Sequence, residues 1–222
     1  MVQYRRHSLE NGYIYHVFTK TIAGFKVFNN DDEFLRILNT ITYYQIEKPL
    51  VKFHRYEVLK KENLKIKRKD LHRSKRKIVE IIAYCIMPTH IHFVLKQIKK
   101  GGISKFMGQI LNSYARYFNI KYKRKGPLWA GRFKSVLVET DEQLLHLTRY
   151  VHLNPVTSFL VNDPKDWKYS SLAEYITHGD NQENLCDFKN NLDIQHLFYE
   201  KFVNDRISYQ RDLKKLEELV FE

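Results

Sequence analysis

Two runs of strand-forming residues lie close together near the middle of the chain. The first is "IVEIIAYCIM", which ends at Met87, and the second is "HIHFVLKQ", which begins at His90. Only Pro88 and Thr89 separate them. Such a short connection joins antiparallel strands, because parallel neighbours need a crossover of a dozen or more residues. The chain therefore contains an antiparallel hairpin, and its sheet has to be built around that pair.

The segments around this hairpin predict two more strands and three helices. "YIYHVFTK" is rich in β-branched and aromatic residues and predicts a strand, and a helix is expected to follow from Asp31 or Asp32. After the hairpin, "GGISKFMGQILNSYARYFNIKY" has helical spacing and "RFKSVLVE" predicts a strand. "TDEQLLHLTRYVHLNP" predicts a helix from Thr140 or Asp141 that ends near Asn154, because a proline disfavours helix in the residue before it.

The order of these elements indicates the fold class. Strand, helix, strand, strand, helix, strand is the split β-α-β arrangement of ferredoxin-like α+β proteins. We therefore expect a four-stranded antiparallel sheet with helices on one face, followed by a C-terminal helical extension. "DWKYSSLAEYI" predicts a small helical cap anchored by Trp167.

We expect the main domain to span 1–178 and the extension, whose role is open, to span 179–222. A basic insertion at about 44–78 interrupts the main domain. Between Lys60 and Lys77 it has no consistent apolar face, which predicts a solvated loop or a frayed helix.

The net charge is the most informative bulk property. The chain carries a formal charge of +13, and the residues from Asp163 onward hold only 8 of its 38 basic residues but 13 of its 25 acidic ones. The positive charge is thus concentrated in the first three quarters, which favours a polyanionic partner such as nucleic acid. Basic surfaces also occur in proteins that bind no nucleic acid, so charge alone is a modest indication.

Composition excludes several other classes of protein. A hydrophobic content of 43% is typical of a folded domain rather than a disordered chain. No apolar stretch approaches the roughly 20 residues that span a bilayer, so we expect a cytoplasmic protein without a membrane partner. Cys85 and Cys186 lie far apart without a C-x-x-C spacing, which favours ordinary buried thiols over a disulfide framework or a zinc knuckle.

The second strand of the hairpin carries two histidines with one residue between them. Successive side chains of a strand point to opposite faces, so His90 and His92 share a face while Ile91 and Phe93 take the other. Two neighbouring imidazoles can supply two ligands to one divalent metal ion. Pairs of this kind also arise by chance, and exposed histidines on a sheet need no metal.

A second pair of polar residues lies on the helix that follows the last strand. Tyr150 and Asn154 are four residues apart, which places them one above the other on one helix face. If this helix crosses the sheet near the two histidines, Asn154 can complete a three-ligand metal site and Tyr150 can present its phenol to a bound phosphate. The alternative is a core tyrosine and a C-capping asparagine.

These motifs resemble a known family. "MPTHIHFVLKQ" resembles the histidine–hydrophobe–histidine motif of the HUH endonucleases. "GPLWAGRFKSVLVETDEQLLHLTRYVHLNPV" is similar to the signature block of the single-tyrosine transposases of insertion sequences, especially the REP-associated tyrosine transposases. The resemblance covers most of residues 13–176, and the long block is far more specific than the histidine pair.

The resemblance implies an activity and a set of site residues. It implies the HUH fold, with His90, His92 and Asn154 as metal ligands and Tyr150 as the nucleophile. Such proteins cut single-stranded DNA beside an imperfect hairpin, forming a 5′-phosphotyrosine link and a free 3′-OH that can rejoin strands in DNA transposition and recombination. The family's ions are Mg²⁺ or Mn²⁺, and the imidazoles suit manganese better. Relatives act as monomers or as homodimers, so the oligomeric state stays open.

Basic and aromatic residues alternate before the last strand, in "KYKRKGPLW". Cations can meet backbone phosphates while aromatic rings stack on unpaired bases, which is the pattern of single-strand binders. Trp129 in this stretch is better explained as a core anchor. The candidate DNA-binding residues are Arg5, Arg6, Lys121, Tyr122, Lys123, Arg124, Lys125, Arg132 and Lys134.

Two other functions remain compatible with the sequence. One is a non-catalytic DNA-binding regulator of repeat elements, domesticated from a transposase. The other is a metal-dependent hydrolase that uses water in place of tyrosine. A pure DNA-binding protein needs neither the histidine pair nor Tyr150 and Asn154, which favours the transposase interpretation.

Overall fold

The sheet has four antiparallel strands in the order β2-β3-β1-β4. The computed structural model describes residues 8–49, 51–61, 76–177 and 184–212. The strands are β1 (Ile14–Lys20), β2 (Val79–Met87), β3 (His90–Gln97) and β4 (Lys134–Val138). β2 and β3 form the expected hairpin around Pro88 and Thr89. This order is that of the ferredoxin-like fold, so the predicted α+β class is confirmed.

Two helices pack on one face of the sheet and a third long helix packs on the other. The first two are α1 (Asp31–Tyr44) and α3 (Gly102–Lys121), which contact each other under the sheet. Helix α4 (Asp141–Thr157) lies against β2 and β3 from the opposite side. The shorter helices are α2 (Phe53–Lys61), α5 (Leu172–Ile176) and α6 (His196–Asn204). Among the described residues, none of the helices combines the length and the apolar character of a membrane-spanning segment.

The helix starts follow the expected capping chemistry. Asn30 precedes α1 and its side chain accepts from the Glu33 backbone N–H, while Thr140 caps α4 in the same way through Gln143. In both cases a side-chain oxygen satisfies an N–H that has no partner inside the helix. These two starts agree with the positions predicted from the sequence.

Helix α4 continues past the point where the sequence predicts its end. The expected end was near Asn154, but the helix runs to Thr157 with Pro155 inside it. A proline in a helix removes one backbone hydrogen bond. Residues 151–156 are all buried, so tertiary packing holds the last turn in place of that bond.

The insertion contains a helix that the sequence did not reveal. Helix α2 has no clear amphipathic pattern, but its Tyr56 and Leu59 pack on Tyr43 of α1 in a small satellite cluster. The Ile46–Lys77 bridge closes the base of the insertion. Residues 62–75, where the sequence predicts a loop or frayed helix, lie outside the described residues.

The segment after α4 packs against the rest of the chain. The Trp167 indole N–H donates to the Ile86 carbonyl at 3.0 Å, in agreement with its predicted anchoring role. The Tyr175 ring of α5 stacks on Phe188 at 4.0 Å, and Tyr199 of α6 packs beside it at 4.7 Å. The boundary between domain and extension near residue 178 stays a prediction.

A buried carboxylate ties α1 to the end of α3. Glu33 is fully buried and forms an ion pair with Lys121 at 2.6 Å. Its carboxylate also accepts from the Tyr122 hydroxyl at 2.6 Å and from the Asn29 backbone N–H at 2.8 Å. Burial raises the pKa of Glu33, but these hydrogen bonds outweigh it, so its pKa lies below the ordinary value.

This ion pair predicts a pH-dependent stability. A carboxyl whose pKa is lower in the folded state stabilises that state above its unfolded pKa, and the contribution is lost as pH falls through the folded value. We expect Glu33→Gln to lower the free energy of unfolding at pH 7 by about 1–3 kcal/mol. The difference from wild type should shrink below about pH 4.5.

Urea unfolding across pH tests this expectation. Glu139→Gln, which changes an exposed carboxyl, is the matched control and should have little effect. A Glu33→Gln deficit that is the same at pH 3 and pH 7 would contradict the account.

Candidate functional site

The two histidines of β3 lie side by side on one face of the sheet. His92 is opposite Phe18 on β1 and Cys85 on β2, and His90 is opposite Lys20 and Met87. The imidazole centroids of His90 and His92 are 5.0 Å apart, with their planes nearly perpendicular. Phe93, on the other face, packs its ring on Phe106 of α3. The alternation of the strand thus separates a polar face from the core.

A third histidine, which sequence analysis missed, joins them from the neighbouring strand. His16 of β1 approaches His92 with an Nε2–Nδ1 distance of 3.0 Å, and the two rings stack with centroids 5.3 Å apart. The alternation of "YIYHVFTK" places His16 on the polar face of β1, but only the pairing of β1 with β3 brings it to His92. That pairing is long-range and cannot be read from local pattern.

Hydrogen bonds hold the Nδ1 atom of each of the two β3 histidines. His92 uses Nδ1 toward His16, and His90 uses Nδ1 toward the Thr89 hydroxyl at 2.9 Å. The bond to His16 leaves Nε2 of His92 over, while the His90 ring also hydrogen-bonds to Asn154. A partner at one ring nitrogen fixes the tautomer and the orientation of the ring.

Burial keeps these imidazoles neutral. Burial, followed by the nearby His90 and His16, lowers the pKa of His92 to about 2. Burial likewise lowers the pKa of His16 to about 4. It also lowers that of His90, where a hydrogen bond that the ring donates to Asn154 acts in the opposite direction. Neutral imidazole is the form that binds metal ions.

Helix α4 brings Tyr150 and Asn154 to the same place. The Tyr150 ring is edge-on to His92 at 5.8 Å and to His16 at 6.0 Å, and the side chain is 41% exposed. Asn154 is buried, and its Nδ2 donates to the Tyr150 carbonyl at 2.9 Å. The Asn154 amide also hydrogen-bonds to His90. Because Nδ2 is engaged with the Tyr150 carbonyl, Oδ1 is the atom that faces His90.

The donor set fits a divalent ion held by few protein ligands. Two imidazole nitrogens and one amide oxygen converge here, and the described part of the chain has no cluster of three or more His, Cys, Asp or Glu side chains suited to a metal. Such a mixed set leaves coordination positions for water or phosphate oxygens. This donor set suits Mn²⁺ or another transition ion better than it suits Mg²⁺, because Mg²⁺ prefers a shell made of oxygen ligands only.

A buried histidine on α4 fixes the orientation of that helix. His152 bonds through Nδ1 to the Tyr199 hydroxyl of α6 and through Nε2 to the Ser171 hydroxyl, both at 2.7 Å. Ser171 in turn accepts from the Tyr84 backbone N–H of β2 at 2.9 Å. Burial lowers the pKa of His152 to about 3, so the ring is neutral. Sequence analysis gave no signal for this network.

The predicted DNA-binding residues lie in different surroundings. Arg5 and Arg6 fall outside the described residues. Lys121 and Tyr122 bind Glu33, and Arg124 donates to Asn119 Oδ1 and to the Pro127 carbonyl. Exposed positions are occupied by Lys123, Lys125, Arg132 and Lys134.

Of these exposed residues, Lys134 lies nearest the histidines in the sheet. It is opposite Phe18 in the β1–β4 register, and Phe18 is opposite His92, so Lys134 shares the histidine face. The indole N–H of Trp129, by contrast, donates to the Leu111 carbonyl, which agrees with its predicted core role.

Comparison with known proteins identifies the family. The family model described as "Transposase IS200 like" matches residues 40–154, about half of the chain. A relative from Haemophilus influenzae, described as a REP-associated tyrosine transposase, is 32% identical over 103 residues. That match covers 41% of this chain and 58% of the relative, so the chain spans little more than half of the relative's length.

A solved structure has the same fold. It is described as a REP-associated tyrosine transposase bound to a REP hairpin, and it aligns with a TM-score of 0.50 at 18% identity over 88% of this chain and 99% of that one. At this identity the likeness supports the fold alone. It agrees with the ferredoxin-like sheet described above. The chain belongs to the IS200-like transposase family.

Proposed function

We propose that this protein is a single-tyrosine DNA endonuclease and strand transferase that acts on single-stranded DNA beside a hairpin. The observation that best supports this function is the position of Tyr150, whose ring contacts the buried His92 and the half-buried His16 while Asn154 of the same helix reaches His90. A phenol, two neutral imidazoles and an amide on one surface match the needs of metal-assisted phosphoryl transfer.

The proposed metal ligands are His90 and His92, through Nε2, and Asn154, through Oδ1. The working ion is Mg²⁺ or Mn²⁺, and imidazole ligands favour manganese. When bound, the ion supplies a Lewis acid that polarises a phosphoryl oxygen and offsets its developing charge. His16 and Thr89 hold the two ligand rings in place through their Nδ1 atoms.

Tyr150 is the proposed nucleophile. Its hydroxyl oxygen attacks the phosphorus, the bond from phosphorus to the 3′-oxygen breaks, and the proton lost by the phenol is matched by the one that the 3′-oxygen gains. The products are a 5′-phosphotyrosine and a free 3′-OH. Because one phosphoester replaces another, the same 3′-OH or a different one can reverse the step and join strands.

The proposed partner is hairpin-bearing single-stranded DNA, as formed by palindromic repeats. The similar solved structure is bound to a REP hairpin, and the positive charge of this chain is concentrated before Asp163. Exposed cations such as Lys134 and Arg132 supply phosphate contacts, which give affinity but no sequence readout. Residues 1–178 are the proposed catalytic unit, and the extension supports it through the His152 and Tyr199 contact.

Removing the Tyr150 hydroxyl tests the covalent step. We expect Tyr150→Phe to abolish the protein–DNA adduct while the affinity for DNA changes less than about threefold, because the ring and its packing remain. The measurement is incubation with hairpin-bearing single-stranded DNA and Mn²⁺, followed by denaturing electrophoresis.

Tyr13→Phe, which changes another exposed tyrosine on the first strand's flank, is the matched control and should leave the adduct intact. An undiminished adduct in Tyr150→Phe would refute the assignment. If the wild type cleaves DNA without forming an adduct, a metal-dependent hydrolase that uses water is favoured. If it binds DNA but neither cleaves it nor forms an adduct, a non-catalytic DNA-binding regulator is favoured.

The contact of His16 with His92 predicts an effect on metal affinity. Loss of a residue that orients a metal ligand typically weakens binding by 10–100-fold. We expect that loss for Mn²⁺ in His16→Ala, measured by isothermal titration calorimetry without DNA. His146→Ala, which removes an exposed histidine on α4, should bind as wild type does. Equal Mn²⁺ affinity in His16→Ala and wild type would show that His16 does not support the site.

A further inference from the structure

An open groove lies beside the loop that follows β1. Its two most exposed rings are Phe25, 48% exposed, and Tyr122, 45% exposed, and its volume is about 750 Å³. Phe25 comes from the loop between β1 and α1, and Tyr122 from the end of α3. Large aromatic side chains with this exposure commonly mark a binding surface when they occur together.

The rings are held in fixed positions before any ligand arrives. The Tyr122 hydroxyl is bound to Glu33 at 2.6 Å, and its ring packs on Phe118 with centroids 4.5 Å apart. Phe25 meets Phe118 edge-on at 6.0 Å, and the Arg124 guanidinium lies 5.7 Å from the Phe25 centroid. Rigid aromatic platforms lose little entropy on binding.

The groove is positively charged. The basic side chains that line it are Lys26, Lys123 and Arg124, and none of the residues lining it is acidic. Glu33, the nearest described carboxylate to Tyr122, is neutralised by Lys121. Cations beside exposed rings match the phosphates and bases of a single strand, whereas a duplex backbone would need the cations alone.

The backbone on both sides of the groove is strained. Ala23 and Lys123 each have a φ of 49°, a left-handed conformation that residues with a Cβ seldom adopt. They are two of the three non-glycine residues with positive φ in the described ranges. Such strain persists where surrounding structure enforces it, often at ligand-binding loops.

The groove lies at the end of the sheet where His90 begins. The Thr21 N–H donates to the Thr89 carbonyl at 2.8 Å, directly before His90, and the Ile22 N–H donates to the Leu128 carbonyl at 3.0 Å. The loop that carries Phe25 and Lys26 is thus tied to the turn directly before His90 and to the segment between α3 and β4.

We infer that this groove binds an unpaired nucleotide of the DNA strand, away from the phosphate that Tyr150 attacks. Its base stacks on Phe25 or Tyr122, and its phosphates meet Lys26 and Lys123. The inference rests on the proposed function, since it assumes that single-stranded DNA is the substrate. It assigns a separate role to Phe25 and Lys26, outside the chemistry at the histidines.

Photocrosslinking with mass spectrometry tests the contact. The probe is a hairpin with a single-stranded flank in which 5-iodouracil replaces one base at a time, bound to the Tyr150→Phe protein so that no cleavage occurs. We expect one flank position to give a crosslink at Phe25 or Tyr122. Crosslinks confined to other peptides at every position would overturn the inference.

Affinity for the same DNA gives a second measurement. Loss of one stacked base typically costs about 5- to 100-fold in affinity. We expect that loss in Phe25→Ala for DNA with the single-stranded flank and no loss for the hairpin stem alone. Lys26→Glu should weaken flank binding in the same way, and Phe198→Ala, which removes an exposed ring on α6, should not.

The outcomes separate this inference from the proposed function. If the wild type forms the adduct and both Phe25→Ala and Lys26→Glu bind the flank as wild type does, the groove inference fails and the nuclease assignment stands. If crosslinks map to the groove but no adduct forms, the DNA contact stands and the nuclease assignment fails.

Discussion

The antiparallel register between β1 and β3 is the constraint on which the candidate site depends. It places Phe18 opposite His92 and brings His16 within hydrogen-bond distance of the same ring. A slip of one residue would turn the histidines toward the core and replace them with Ile91 and Phe93. The buried apolar residues on the other face oppose that slip, so the packing of the core and the geometry of the site are set together.

Burial has a second consequence on the histidine face. It removes water from His16, His90 and His92, so each imidazole is neutral and each needs a partner for its Nδ1 or Nε2 atom. Thr89 and His16 provide two of those partners. The same physical effect thus favours one tautomer of each ring and keeps the rings in the neutral form that metal ions bind.

The tyrosine helix depends on contacts outside the sheet. His152 joins α4 to Tyr199 of α6 and to Ser171, which binds the backbone of β2. Tyr150 comes two residues before His152 and Asn154 two residues after it, so both lie on the opposite side of the helix from His152. The hydrogen bonds of His152 therefore set the rotation of α4 relative to the histidines of the sheet. The C-terminal extension therefore contributes to the position of a residue some fifty positions earlier in the chain.

Local sequence pattern was sufficient for the hairpin, the shared face of His90 and His92, and the spacing of Tyr150 and Asn154. Each of these follows from the periodicity of one element. His16 was missed because its role depends on the register between β1 and β3, and α2 was missed because its apolar contacts are few and come from α1. Lys121 was predicted to bind DNA from the alternation of basic and aromatic residues, and the buried Glu33 that binds it could not be anticipated from local pattern.

The most direct test of the central claim is a crystal structure of the Tyr150→Phe protein with Mn²⁺ and hairpin-bearing single-stranded DNA. Anomalous scattering locates the manganese independently of the protein coordinates. The account predicts one peak bound by Nε2 of His90, Nε2 of His92 and Oδ1 of Asn154, with a DNA phosphate beside residue 150. A manganese site elsewhere, or DNA bound with both histidines free of metal, would contradict it.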